Sequence, residues 1–409
     1  MQAADGQGEW RAGWRPLLAS TIGFGSGLGL VTYLGSLFIL PMQRESGWST
    51  SAVTISPIIS LLVGLCSPVA GMLVDRWGSR RISLIGLALL GGGLGVLAMA
   101  PLRPPELYGA AALIGLVGAL SSTTPFLRCV AGWFPRRTGF ALGLAMNGVP
   151  VMAFLVTPMV SWIIYEQGWR AGYLALAAVS LLIGWPLVYA LLKDRPASMP
   201  PARHRGESPL RPALRQPAFW LVTLAIALAS IPLGGFLASL QPMLASNHVP
   251  IREATILGMV YAMSIMLGRL LGGYCMDRFW DGAVALVLML LSAAGAVMLA
   301  GGDMPMPLLV AAVLLVGMGQ GAEADMIGYF ALRLFGLEAY STIVGVWTMA
   351  ASLTIALGGF WFARIYDHAG SYAGACLLGA TCFLLSGLIL LGTRLVYRHV
   401  QAGKVPATA

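Results

Sequence analysis

Four charged side chains stand well inside apolar stretches of this sequence: Arg128, Arg269, Glu323 and Asp325. Arg269 lies in Gly268-Arg-Leu-Leu-Gly-Gly273, eight residues before Asp277. In a helix that spacing puts it roughly 12 Å deep. A charge so deep in a membrane costs at least about 2.5–3.5 kcal/mol, so it must face a cavity or a partner. The planar fork of a guanidinium matches a carboxylate through two parallel hydrogen bonds. Arg269 is therefore a candidate for a functional charge facing a cavity, with a structural salt bridge as the alternative. Glu323 and Asp325 close the stretch Gly317-Met-Gly-Gln-Gly-Ala-Glu-Ala-Asp325. Glu323 is ten residues before Arg333, so its depth matches that of Arg269. A Glu323–Arg269 pair that substrate or proton separates is a simple basis for coupling. Residues two apart sit on nearly opposite helix faces, so one of the two acids is expected to face a cavity. Both are candidates for proton coupling, the alternative being that they brace their helix through hydroxyl and backbone partners. Arg128 lies eight residues before Arg136 and is either a second anion-binding charge or a side chain that snorkels to the surface. Tyr33, Asn147, Gln320, Tyr329 and Trp347 complete the set of candidate substrate contacts, although packing is the commoner role for each.

The elements that must position these groups are membrane helices. The chain is 58% hydrophobic and only 10% charged, against roughly 25% charged residues in a soluble domain. Its apolar residues come in blocks such as 17–40 and 82–100, and about 20 apolar residues in a helix cross a bilayer. Spans are expected near 16–40, 52–75, 82–100, 106–130, 138–163, 170–192, 217–243, 254–277, 282–301, 306–331, 341–365 and 371–395. The first block is too long for the apolar region of a cleavable signal. Twelve spans put both termini on one side, and Lys and Arg mark the cytoplasmic side. On that side fall Arg11, Arg15, Arg76, Arg80, Arg81, Arg136, Arg137, Lys193, Arg195 and Arg203 to Arg215, with Arg278, Arg333, Arg394, Arg398 and Lys404. The other side holds Arg44, Arg103, Arg170, Arg252 and Arg364. Both termini are therefore expected in the cytoplasm, and the net charge of +9 is topological rather than a nucleic-acid signal.

A Pro- and Arg-rich stretch, 193–216, reads as a linker. It divides a six-span bundle at 16–192 from a second at 217–395, with cytoplasmic ends at 1–15 and 396–409. The halves repeat. Gly71-Met-Leu-Val-Asp75-Arg76 recurs as Gly273-Tyr-Cys-Met-Asp277-Arg278, an offset of 202 that also relates Gly143 to Gly345, Gly168 to Gly370 and Gly172 to Gly374. The fold class expected is an all-α membrane protein of twelve helices in two pseudo-symmetric six-helix bundles.

The loop after span 2 reads Gly71-Met-Leu-Val-Asp75-Arg76-Trp-Gly78-Ser-Arg80-Arg81. Its glycines permit a sharp turn, and Asp75 can face a helix N-terminus or an Arg, where negative charge is favourable. Arg80 and Arg81 would also serve as topology determinants alone. This ungapped GxxxDRxGxRR pattern resembles the signature of the major facilitator superfamily. The resemblance covers almost the whole chain. It implies that spans 3, 6, 9 and 12 face lipid and that the loop latches the cytoplasmic side when the carrier faces outward. It also implies gating roles for Asp75, Arg76, Arg80 and Arg81 and, in a second loop that lacks the trailing Arg pair, for Asp277 and Arg278.

Pro125 and the run Trp133-Phe-Pro-Arg136-Arg137-Thr-Gly-Phe-Ala141-Leu-Gly143-Leu-Ala145-Met-Asn147-Gly148 resemble the monocarboxylate-transporter pattern. Gly-Trp-Ser at 47–49 and Gly-Trp-Arg at 168–170 are similar to bacterial oxalate/formate exchangers. In those families an Arg at this place in span 8 binds the substrate carboxylate, which the resemblance carries to Arg269. The exchangers' Lys in span 11 has no counterpart between Tyr340 and Tyr366, which favours a monoanion over a dicarboxylate.

The glycines at 23–29 lack GxGxxG spacing and read as close helix packing. No phosphate-binding Lys loop is present, which argues against ATP-driven transport. The five cysteines lie in apolar blocks with no CxxC pair, and no His, Cys and carboxylate cluster has metal spacing. No cofactor, nucleic acid or obligatory protein partner is expected, and no enzymatic activity. The expected function is secondary transport of a small organic anion, foremost a monocarboxylate, by alternating access with proton symport or anion exchange. The expected partners are that anion, a proton or counter-anion and the lipid of a cell membrane, a bacterial inner membrane foremost. Proton-coupled efflux of hydrophobic compounds is the alternative, weakened because Gly148-Val-Pro150 is only a fragment of the exporters' signature. A transporter-like sensor without transport is a third, for which no loop is long enough to fold as a signalling domain.

Overall fold

The structure, a computed structural model, describes residues 2–195, 210–247, 249–302 and 304–402. The expected linker residues 196–209, with Arg203 and Arg205, and the tail residues 403–409, with Lys404, lie outside the described residues. The described residues are helical, with no strand among them. In a bilayer only internal hydrogen bonding satisfies the backbone, and a helix provides it.

Ten helices are long and apolar enough to cross a membrane, and eleven with the bent pair at the start, 8–33 and 36–46, which turns by 45°. One of the ten is a 54-residue run, Thr138–Leu191. It is interrupted by Gly168, which has φ +85° and ψ 173° inside the helix Gly148–Ala178. A helix of that length is about 80 Å long, enough for two crossings with Gly168 at the turn. The twelve expected spans are thereby all present. Span 12 continues as helix to Ala402, past the expected end near 395.

The chain forms two compact units. The first comprises Met1–Glu207 and Leu337–Met349, and the second Ser208–Gly336 and Ala350–Ala409. The first ten residues of the Tyr340–Ala369 helix thus belong to the first unit and the remainder to the second.

Several spans of the first unit are broken, each with a local cause. Span 1 comprises Gln2–Gly25, Leu28–Tyr33 and Ser36–Ser46, with breaks at Ser26-Gly27 and Leu34-Gly35. Span 4 runs Pro104–Gly118, a 3₁₀ turn at Ala119–Ser121, and Thr123–Trp133. Pro125 sits four residues after Ser121, where its ring excludes the regular helical bond. Span 5 breaks at Asn147, three residues before Pro150. Gly148 is seated so close to the Thr21 carbonyl that any Cβ would collide with it. The core of this unit is a contiguous apolar cluster that includes Leu30, Phe38, Leu90, Leu94, Ile114 and Val160, all nearly inaccessible. In the second unit the Ile251–Arg278 helix packs along Met306–Phe335, and Asp281–Ala300 packs along Ala373–Ala402.

Candidate functional site

Spans 8 and 10 meet backbone to backbone. A Cβ on Gly268 would collide with the Met318 carbonyl, and one on Gly321 with the Ile265 carbonyl. Gly272 lies against Ala322 and Gly317 against Ser264. This seam brings Arg269 close enough for its charge to act on both Glu323 and Asp325. Glu323 is 3% exposed, and its Oε1 accepts a 2.7 Å hydrogen bond from the Ser230 hydroxyl of span 7. Asp325 is wholly inaccessible, and neither of its carboxylate oxygens has a hydrogen-bond partner among the described residues. Next to them the Tyr261 hydroxyl donates to Gln320 Oε1, and Gln320 Nε2 donates to the Pro232 carbonyl at 3.4 Å. One cation, two acids and an amide from spans 8 and 10 thus converge against span 7, all inside the second unit.

The other expected substrate contacts fall elsewhere. Tyr329 is 1% exposed and donates to the Met276 carbonyl at 2.9 Å, with the Arg333 guanidinium over its ring. It ties span 10 to the end of span 8 and offers a substrate no surface. Trp347 is fully buried. Asn147 is buried and turns back on its own helix, donating to the Gly143 carbonyl at 3.0 Å, where it fills the break in span 5. Tyr33 is 56% exposed beside the second break of span 1.

In the first unit the loop after span 2 makes a capped ion pair. Asp75 accepts the backbone N–H groups of Ser341 at 3.1 Å and Thr342 at 2.8 Å, and the Thr342 hydroxyl at 2.7 Å. These are the first residues of the Tyr340–Ala369 helix, whose unsatisfied N–H groups and dipole favour an anion. Arg128 donates to Asp75 Oδ1 and, at 2.9 Å, to the Leu337 carbonyl. Arg128, expected either at the surface or in an anion site, is thus committed to Asp75: a buried carboxylate captures the nearest cation. The contact is possible because Gly71 lies against the Ser341 carbonyl and Gly345 against the Ser67 carbonyl, with no room for a Cβ at either.

The remainder of the loop is anchored by a residue that sequence reasoning passed over. Asp194, just past span 6, accepts the N–H groups of Ser79 at 3.0 Å and Arg80 at 3.2 Å, capping the Ser79–Met99 helix after Gly78 turns at φ +86°. Arg80 donates to the Tyr189 carbonyl at 2.7 Å and stacks over that ring. Arg76 and Arg81 are exposed. In the second unit Asp277 is half-buried and Arg278 exposed. The position 202 residues after Arg128 is Phe330, so the second loop has no counterpart of that cation. Ser230, Ser341 and Thr342 were also passed over; a hydroxyl midway along an apolar helix was the only signal for Ser230.

The Gly-Trp-Arg motif at 168–170 forms a clamp. Glu45 accepts from Trp169 Nε1 at 2.6 Å and from Arg170 Nη1 at 2.7 Å, and the Arg170 guanidinium lies 4.3 Å from the Trp169 ring centroid. This ties the last piece of span 1 to the start of span 6. Among the described residues no three His, Cys, Asp or Glu side chains are grouped to hold a metal.

Two units of membrane-length helices, the first with broken spans and the second with two acids buried in a span, are what a carrier-type membrane protein presents. A family model described as the Major Facilitator Superfamily matches residues 17–359, and the chain belongs to that superfamily of transporters. It is 27% identical over 390 residues to "Monocarboxylate transporter 13" of Bos taurus, covering 93% of this chain and 88% of that one. It is 27% identical over 403 residues to "Monocarboxylate transporter 11" of Homo sapiens, covering 94% and 83% respectively. Among solved structures, a Major Facilitator Superfamily transporter, FucP, in the outward conformation matches with a TM-score of 0.71 at 14% identity, over 93% of this chain and 98% of that one.

Proposed function

We propose that this transporter carries a small organic anion, with monocarboxylates as the substrate class, by proton symport or anion exchange. The observation that carries the reading is a half-buried cation, Arg269, whose charge acts on the buried acids Glu323 and Asp325 inside a membrane bundle. Such a cluster is expensive to maintain without a use, and a guanidinium is the side chain best matched to a carboxylate. That relatives similar over nearly their whole length are named monocarboxylate transporters supports the same class.

In this reading Arg269 binds the substrate carboxylate. Glu323, freed from Arg269 when substrate takes its place, accepts the coupling proton with the Ser230 hydroxyl at hand. Gln320, held by the Tyr261 hydroxyl, stands one helical turn before Glu323 as a further polar contact. Arg128 moves from the binding set to the gate, where it and the Thr342 end of span 11 hold Asp75. Asp277 is the corresponding group of the second half, where Phe330 stands at the position that matches Arg128. The bias of Lys and Arg supports a chain with both termini in the cytoplasm, in a bacterial inner membrane.

Uptake of a panel of radiolabelled short carboxylates into proteoliposomes, with and without an imposed pH gradient, tests this. Wild type is expected to show saturable uptake that the gradient stimulates. Arg269→Ala is expected to lose it by more than about tenfold, the cost of one charge-assisted hydrogen bond of at least about 1.5 kcal/mol. Saturable carboxylate uptake that ignores Arg269→Ala would remove Arg269 from the site.

A further inference from the structure

Glu323 and Asp325 are alike in sequence and depth, yet the structure gives them different surroundings. The face of span 10 that meets span 8 is set by Gly317 against Ser264 and Gly321 against the Ile265 carbonyl. Residues four apart share a helix face, so Asp325 continues this stripe. Tyr329, four residues further, reaches the Met276 carbonyl of the same span. Asp325 therefore points into the span 8–span 10 seam, between Arg269 and Met276, at a place where the helices are in backbone contact. Glu323 is turned away toward span 7 and held by Ser230.

A carboxylate sealed in such a seam has two choices. As an anion it needs hydrogen-bond donors, and leaving a buried charge without them costs far more than taking up a proton. Neither oxygen of Asp325 has a donor among the described residues. The elements packed around it supply little charge. The Pro217–Ser246 helix carries no titratable residue. The Asp281–Ala300 helix carries only Asp281, at its first residue. On its own helix Glu323 faces the other way, and Arg333 lies over Tyr329. On span 8, Tyr274 is exposed and Asp277 lies beyond Met276, which leaves Arg269 as the charge that acts on Asp325.

We infer that Asp325 is a positioning residue held as the neutral acid throughout the transport cycle, and that Glu323 alone carries the exchangeable charge opposite Arg269. The inference rests on the proposed role of Arg269 only in its second half. With Asp325 neutral, Arg269 and Glu323 balance in the empty site. An arriving monocarboxylate adds one negative charge, and one proton on Glu323 restores the balance. With both acids ionised the empty site would hold a net negative charge and repel the anion it is to bind.

The test is infrared spectroscopy of the purified protein in lipid bilayers without substrate, following the carbonyl stretch of protonated carboxylic acids. Ordinary side-chain carboxyls ionise near pH 4, so titration from about pH 5 to about pH 9 separates a held acid from a free one. Wild type is expected to keep one component of the band constant across that range, beside any component that titrates with Glu323. The constant component should vanish in Asp325→Asn, and in Asp325→Ser should the Asn variant fail to fold. It should remain in Glu323→Gln. An Asp325-dependent band that fades with rising pH, or no band that depends on Asp325, overturns the inference. Failure of the carboxylate reading shows itself separately, as absence of carboxylate uptake by a wild-type protein whose spectrum still carries the constant band.

Discussion

Removing either member of the Asp75–Arg128 pair leaves the other charge in a half-dry pocket, and breaking one side of a buried pair typically costs about 3–5 kcal/mol. Asp75→Asn and Arg128→Met are each expected to lower the thermal midpoint in detergent. The double variant should lie above the sum of the two losses, because it strands no charge. Additive losses would show that the two side chains do not act as a pair. The Glu45–Arg170 contact differs in kind. Both side chains are about 40% exposed, so Glu45→Gln should cost under about 1 kcal/mol and lose its effect in high salt. At this scale the sequence announces a charge by its depth but not by its direction. Arg269, Glu323 and Asp75 stood out because a charge in or beside an apolar block has few explanations. The role of Arg128 was not readable, because its partners lie 53 and 209 residues away. Asp194 was missed for the complementary reason: just outside a span, a charge needs no explanation at all.

Between elements the governing quantity is how near two backbones come. Gly321 and Gly268 let spans 8 and 10 touch, and a side chain at either must displace a carbonyl. Gly321→Val is expected to destabilise the protein by at least about 1–3 kcal/mol, seen as a lower thermal midpoint. It should also abolish transport at temperatures where the variant is still folded, since it would part Arg269 from the acids. Gly92→Val is the control, because nothing lies within 4 Å of a Cβ there, and it should melt as wild type does. A Gly321→Val protein that melts and transports normally would mean the seam is looser than described. The existence of each span was legible from apolar length alone. Its interruptions were not, since Gly27 in span 1 read as one of a row of packing glycines. Pro125 and Pro150 were visible, but a proline alone does not say whether a membrane helix kinks or breaks. The repeat is a property of the sequence itself, and of the glycines it pairs Gly345 makes a close helix contact, seated against the Ser67 carbonyl.

For the whole molecule, the distribution of Lys and Arg makes a prediction that needs no substrate. Alkaline phosphatase fused after residue 402 should be inactive, and a fluorescent protein at the same point bright, if the ends lie in the cytoplasm. The opposite pattern would invert the topology and with it the side on which the Asp75–Arg128 pair lies. The structure adds something about the far ends of the spans. Where the chain turns back on the side away from the span 6 to span 7 linker, its non-helical stretches are never longer than five residues, and at Gly168 the turn is made within a single helical run. Little unwound chain is exposed there. With the termini in the cytoplasm, as proposed, a protease added to intact cells should find almost nothing to cut, whereas one added to inside-out vesicles should meet the side of the Arg-rich linker. An antibody raised against the outer face would have to recognise helix ends rather than loops.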